Sequence, residues 1–104
     1  MVTSSELLKE IADIFNTTVD RLKEKDRVDE LIFPRKVFIY VCYNYLKMSG
    51  PAIAMKLNRE KTSSKKELDM INRHIENNER KWLEYWTKYE KESSIWKQLL
   101  NKAA

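Results

Sequence analysis

The sequence predicts an all-α fold, and three observations carry this prediction. The 104 residues include one Gly and two Pro, too few for the many turns of an all-β domain. Hydrophobic residues make up 42% of the chain, which is enough for one core without metal or disulfide cross-links. Apolar side chains also recur with helical spacing along most of the sequence. We therefore expect a small helical bundle.

The N-terminal third predicts two helices. Thr3 and Glu6 fit a capping box, and apolar residues then repeat at helical spacing, which predicts a first helix over about residues 4–15. Thr17 offers a second cap, for a short helix that ends near Lys23.

A third helix should form the buried centre of the fold. Pro34 suits the first turn of a helix, because its missing N–H is not needed there. Apolar residues then continue around all sides of the helix as far as Met48. The lone cysteine, Cys42, lies in this run, and we interpret it as a buried, reduced thiol.

The next elements predict a helix-turn-helix. Gly50 is expected to relax the end of the central helix, Pro51 to begin the next one and Ser49 to cap it, giving a fourth helix over about residues 52–57. A polar turn then leads to a fifth helix that begins near Thr62. Two short helices joined by a short turn, with a buried helix before them, are typical of this DNA-binding motif.

Charge is concentrated in the middle of the chain. Residues 1–33 carry a net charge of −3, residues 34–66 carry +7 and residues 67–104 carry 0. Positive charge gathered on one structural unit attracts polyanions, so nucleic acid becomes the leading candidate ligand.

The fifth helix separates its residues into two faces. Leu68 and Ile75 fall on one face, while the opposite face carries Thr62, Lys66, Asp69 and Arg73. Hydroxyl and lysine side chains near a helix N-terminus are suited to bind phosphates or base edges. The residues that we expect to contact DNA in this region are Arg59, Lys61, Thr62, Ser63, Lys65 and Lys66.

Several short motifs together point to a known family. The matching stretches are residues 11–16, 22–23, Arg27, 34–35 and 49–54. From about Glu6 to Glu76 the sequence resembles the C-terminal DNA-binding domain of the bacterial chromosomal replication initiator. That resemblance implies a Trp-repressor-like helix-turn-helix fold that binds double-stranded DNA. It also implies that Arg27 enters the minor groove and that Arg35 binds a phosphate or base.

The recognition signature of that family is present in altered form. Arg59 to Ser63 stand where the family has Arg-Asp-His-Thr-Thr, with Lys61 in place of the histidine and Ser63 in place of the second threonine. Base readout depends on individual side chains, so DNA binding is carried over and the family's target sequence is not. The single Gly cannot build a nucleotide-binding loop, so the resemblance implies a stand-alone DNA reader in replication or transcription control. A phage, plasmid or other mobile element is the expected setting.

The C-terminal third contains an aromatic seam. Trp82, Tyr89 and Trp96 continue a seven-residue apolar repeat that begins at Leu68, which predicts a long helix. Ser93 and Ser94 could instead cap a separate final helix after a break. We favour an interpretation in which these rings fold back onto the core. A homodimer or protein partner is the alternative, since large aromatic residues anchor interfaces well. Base stacking is a weaker option, because the segment has no net charge.

We accordingly divide the chain into a helix-turn-helix DNA-binding domain, residues 1–78, and a C-terminal helical extension, residues 79–104. One histidine and one cysteine cannot complete a zinc site, and no catalytic arrangement of side chains stands out, so we expect no enzyme activity, metal or cofactor. The N-terminus has no export signal and no segment is long enough to span a membrane, so we expect a cytoplasmic protein.

Overall fold

A computed structural model of the chain describes residues 2–24, 28–58 and 64–103, and over these ranges the fold is all-α. The helices are α1 (Ser4–Ile14), α2 (Val19–Lys23), α3 (Asp29–Asn44), α4 (Gly50–Lys56), α5 (Ser64–Asn77), α6 (Glu79–Glu92) and α7 (Ser94–Ala103).

The first two helices form close to where the sequence places them. The Thr3 side chain accepts a hydrogen bond from the backbone N–H of Glu6, so the predicted cap of α1 is present. The cap of α2 is Thr18 and not Thr17 as predicted, because it is the Thr18 hydroxyl that accepts from the Arg21 N–H. Thr17 and Thr18 carry the same capping hydroxyl, so the sequence alone does not show which of them caps the helix.

Helix α3 begins five residues earlier than the sequence predicts. Asp29 and Glu30 occupy its first turn, where their negative charges are stabilised by the helix dipole. Pro34 therefore lies inside the helix and not at its start. The helix ends at Asn44, before the predicted Met48.

Lys47, and not Gly50, supplies the left-handed backbone after α3. Its φ of 57° breaks the helical path. Gly50 has a negative φ and is the first residue of α4, with Pro51 next to it. The predicted cap of α4 is correct, since the Ser49 hydroxyl accepts from the Ala52 N–H at 3.3 Å.

The core forms where α3 packs against α1 and α6. Phe33 and Phe38 of α3 are completely buried, as are Leu7 of α1 and Tyr89 of α6. Cys42 is also buried, and this burial raises the pKa of its thiol to about 12. The apolar surround of α3 thus makes it the central helix, as its sequence predicts.

The aromatic seam lies on two helices and not on one continuous helix. Asn78 breaks the path between α5 and α6, and its side-chain amide donates to the carbonyl of His74 at 2.8 Å. A second break separates α6 from α7 at Ser93. Glu10 of α1 closes the N-terminus of α7, because its carboxylate accepts from the backbone N–H of Ser94 at 3.2 Å and from that of Ile95 at 3.3 Å.

Within the described residues, every helix is too short or too polar to cross a lipid bilayer.

Candidate nucleic-acid interface

The proposed DNA-binding motif consists of α4 and α5, with α3 behind them. Helix α5 packs on both α4 and α3. Ile53 and Leu57 bury the inner side of the α4 region, and Ile75 buries the described part of the inner face of α5. The burial of Ile75 agrees with the inward face predicted for this helix.

A charged junction ties the C-terminal half of α5 to two other helices. The carboxylate of Asp29, at the start of α3, contacts one side chain from each of these helices. His74 Nε2 of α5 lies 2.8 Å from Asp29 Oδ1, and Lys81 Nζ of α6 lies 2.7 Å from Asp29 Oδ2. These hydrogen bonds, first that from Lys81 and then that from His74, lower the pKa of the Asp29 carboxyl. The hydrogen bond between Lys81 and Asp29 also raises the pKa of Lys81.

Two further contacts hold α5 against α3. The ammonium of Lys36 donates to the side-chain carbonyl of Asn72 at 2.6 Å, and partial burial lowers the pKa of this lysine. The imidazole of His74 packs against Phe33 with the ring centroids 5.5 Å apart. The C-terminal half of α5 is therefore anchored by charge, hydrogen bonding and ring contact.

The opposite side of α5 faces solvent in its described part. Asp69 and Arg73 are exposed, as predicted for the outward face. Lys56 at the end of α4 and Lys47 before α4 are also exposed, so they add positive charge near both ends of this helix.

Most predicted DNA-contacting residues lie outside the described structure. This group contains Arg27, Arg59, Lys61, Thr62 and Ser63. Lys65 and Lys66 lie in the first turn of α5, but their side chains are outside the described part. Their predicted contacts with DNA remain predictions.

Arg35 is the one predicted contact whose side chain the structure describes, and its placement does not fit the prediction. Only 3% of Arg35 is exposed, and its guanidinium donates to main-chain carbonyls at the end of α2. A group enclosed in this way is not presented to a phosphate or a base. The sequence carried a signal of this burial, because Arg35 lies in a helix that is apolar on all sides.

Sequence reasoning missed the junction at Asp29. The sequence shows His74 only as the single histidine of the chain, whereas the structure makes it a link between α5 and α3. Asp29 and His74 are 45 positions apart. No periodic pattern pairs residues at such a distance, so the contact could not be found before the fold was known.

The rings of the aromatic seam lie within the chain's own core. Tyr89 is completely buried and Trp96 is 5% exposed. Tyr85 stacks on Phe33 with the ring centroids 4.9 Å apart, and Trp86 meets Trp96 edge to face at 5.1 Å. These rings therefore fold back onto the core of the same chain, and little of the seam is left exposed to a partner.

Comparison with known proteins assigns a family to the region that contains α4 and the first half of α5. Residues 4–70 match the model of the family described as bacterial dnaA protein helix-turn-helix. Over 55 residues the chain is 40% identical to the chromosomal replication initiator protein DnaA of Geobacter metallireducens. The shared stretch covers 53% of this chain and 12% of that relative's length. No solved structure matches the chain.

Proposed function

This chain belongs to the bacterial dnaA protein helix-turn-helix family, and on that premise we propose that it binds double-stranded DNA in a sequence-specific way. The observation that carries the proposal is the family match over residues 4–70, which includes all of α4 and the first half of α5. The named relative is a chromosomal replication initiator protein, so control of replication is the process we favour. We propose a binding role without catalysis.

In the proposed complex, the N-terminal end of α5 enters the major groove. Thr62 and Ser63 read base edges or bind the backbone, since their hydroxyls can donate and accept. Lys61, Lys65 and Lys66 neutralise phosphates, helped by the positive end of the α5 dipole. The anchors on the other half of the helix support this arrangement, because a recognition helix must keep its orientation while it is in the groove.

The proposed contacts predict how strongly affinity depends on salt. The sequence predicts five basic phosphate contacts, and the enclosed position of Arg35 leaves four: Arg59, Lys61, Lys65 and Lys66. At about −0.9 per phosphate, the logarithm of the association constant should fall against the logarithm of salt concentration with a slope of about −3.6. A titration by fluorescence anisotropy at several salt concentrations measures this slope.

The decisive experiment is selection from a pool of random duplexes, followed by charge reversal. Enrichment of one sequence is expected, and the double variant Lys61→Glu with Lys66→Glu should lose binding to it while its circular dichroism spectrum stays helical. Lys91→Glu with Lys97→Glu is the matched control, since both lysines are exposed on the C-terminal helices. Failure of the wild type to retain any duplex at low salt would exclude the proposed function.

A further inference from the structure

Helices α6 and α7 are separated by a single residue, Ser93. The N–H of Ser93 still donates to the carbonyl of Tyr89 at 2.9 Å, four residues back, as in the interior of a helix. Its φ of −85° lies in the helical range, so its ψ of 118° is the angle that interrupts the helix. A rotation of this ψ to about −40° would continue α6 into α7. Ser93 therefore has the geometry of a hinge.

The residues on both sides of Ser93 are compatible with one continuous helix. The last glycine and the last proline of the chain are Gly50 and Pro51, so residues 79–103 contain neither of the residues that most strongly interrupt a helix. Tyr89 and Trp96 are seven positions apart, so they lie on one face of such a helix. The sequence thus permits a straight arrangement as well as the bent one that the structure contains.

Glu10 of α1 stabilises the bent arrangement. Its carboxylate accepts from the N–H groups of Ser94 and Ile95, at 3.2 Å and 3.3 Å. It also accepts from the hydroxyls of Ser93 and Ser94. In a continuous helix the same two N–H groups would bond to carbonyls four residues earlier, in α6. Glu10 therefore competes with the end of α6 for these donors, and its contacts favour the bend.

Straightening would remove Trp96 from its place in the core. The indole packs edge to face on the rings of Tyr45 and Trp86, with centroids 4.9 Å and 5.1 Å away, and it is almost completely buried. In a continuous helix Trp96 would lie about 10 Å along the axis from Tyr89, so their present ring contact, 6.1 Å between centroids, would be lost. The vacated space between Tyr45 and Trp86 is shaped for an indole, and a second copy of this chain carries that indole on the same helix.

We propose that α7 exchanges between two copies of this chain by straightening at Ser93, and that Glu10 is the latch that keeps α7 in its own chain. In the exchanged dimer, Trp96 of each chain packs between Tyr45 and Trp86 of the other. Exchange of an identical element rebuilds contacts that the monomer already makes, so it requires no exposed apolar surface on the monomer. The inference concerns the association of the chain and does not depend on DNA binding.

The first test compares the unaltered chain with a hinge variant. After incubation at high concentration near its melting temperature, the wild type should contain a dimer that persists on cooling, as measured by sedimentation velocity. Ser94→Pro should remain monomeric under the same treatment. Proline suits the first residue of α7, but it blocks a helix that continues from α6 and holds the preceding residue, Ser93, in an extended conformation.

Ser94→Ala is the matched control for the hinge variant. It removes the same hydroxyl as Ser94→Pro but permits a continuous helix, so it should dimerise at least as strongly as the wild type. A wild type that stays monomeric after the treatment would overturn the inference. Equal amounts of dimer in Ser94→Pro and Ser94→Ala would also overturn it, because dimer formation would then not require straightening.

The second test concerns the latch. Glu10→Ala should lower the dissociation constant of the dimer at least about tenfold, because it removes a charged acceptor that only the bent arrangement uses. Asp13→Ala, at an exposed acid of α1, should leave that constant unaltered. Adding Ser94→Pro to Glu10→Ala should restore the monomer. An unaltered constant in Glu10→Ala, or a dimer that survives in the double variant, would contradict the role of the latch. If Glu10→Ala does not fold, the comparison of Ser94→Pro with Ser94→Ala decides.

The third test identifies the contact within the dimer. A dimer prepared from equal amounts of isotope-labelled and unlabelled chains should give intermolecular nuclear Overhauser effects between the indole of Trp96 and the ring of Tyr45. If these effects arise only within one chain, the dimer uses a different surface, and exchange of α7 is excluded.

Discussion

Tyr89 brings a hydroxyl group into the centre of an apolar core. The residue is completely buried, and burial raises the pKa of its phenol well above the ordinary range. Ser93 lies beside it, but the Ser93 hydroxyl donates to Glu10 and accepts from the Trp96 N–H. Among the described residues, none gives the Tyr89 hydroxyl a hydrogen bond of good geometry.

We therefore expect Tyr89→Phe to keep or raise the stability of the fold. Removing a buried hydroxyl that makes no well-formed hydrogen bond to the described residues relieves its desolvation cost, so the free energy of unfolding should rise by about 0–1 kcal/mol. Urea denaturation followed by circular dichroism measures the change, with Tyr43→Phe as the control because Tyr43 is 60% exposed. A loss of more than about 1 kcal/mol would show that the hydroxyl has a partner after all.

At the same scale, the sequence separates residues whose role follows from a pattern from those whose role depends on the fold. The outward position of Arg73 and the inward position of Ile75 follow from helical periodicity and were correctly predicted. The placement of Arg35 did not follow from its family resemblance, because the residue type fits a phosphate as well as a set of carbonyls. The three-dimensional position of α2 decides between them.

Among the elements, α5 depends on the junction at Asp29. The hydrogen bonds from Lys81 and His74 lower the pKa of this carboxyl below its ordinary value of 3.8, so the folded state binds the proton more weakly than the unfolded state. The stability that the junction adds is therefore complete above that ordinary value. It is lost as the pH falls through the lowered pKa of the folded protein.

We expect Asp29→Asn to lower the melting temperature at pH 7 by a few degrees at most, because all three side chains are partly exposed. The melting temperatures of variant and wild type should converge as the pH falls below 3.8. Thermal unfolding at several pH values measures this, and Asp69→Asn provides an exposed acid on α5 as the control. A gap that persists unchanged in acid would show that the carboxylate charge is not the cause.

Helix positions were predicted better than helix ends. The caps at Thr3 and Ser49 have distinctive sequences, and both are present. The start of α3 was placed too late because Pro34 suggested a first turn, whereas the acidic residues before it were the true start. The sequence places the end of the same helix near Met48, with Gly50 in the turn after it, whereas the helix ends at Asn44 and Lys47 takes the left-handed backbone at some steric cost.

For the molecule as a whole, the C-terminal helices complete a core that the family region leaves open. The family match ends at residue 70, yet Tyr85 of α6 covers both Phe15 and Phe33, with ring centroids 5.3 Å and 4.9 Å away. Trp96 of α7 packs edge to face on Tyr45, with the centroids 4.9 Å apart. Loss of these contacts would expose large apolar surfaces on α1 and α3.

We therefore predict that a chain ending at Asn78 does not fold cooperatively. Its unfolding in urea should show a broad change without a sigmoidal transition, while a chain ending at Asn101 should unfold like the full sequence. The measurement is circular dichroism at increasing denaturant concentration. A sharp transition in the shorter chain would instead support residues 1–78 as an independent domain.

The fold class and the family could be predicted from the sequence, whereas the packing of the C-terminal helices could not. Composition and periodicity predicted an all-α fold, and the motifs up to residue 76 predicted the family. The aromatic repeat predicted an apolar helix but left open whether the rings fold back or meet a partner. That choice depends on the breaks at Asn78 and Ser93, which redirect the helices.

The aromatic arrangement also gives the protein an optical reporter. All three tryptophans, Trp82, Trp86 and Trp96, lie on α6 and α7, and neighbouring indoles are separated by 5.7 Å and 5.1 Å between centroids. Tryptophan fluorescence therefore reports on the packing of the last two helices, because α4 and α5 contain no tryptophan. During denaturation, this emission can be compared with the circular dichroism signal of the backbone. The comparison shows whether the last two helices unfold in the same transition as the rest of the chain.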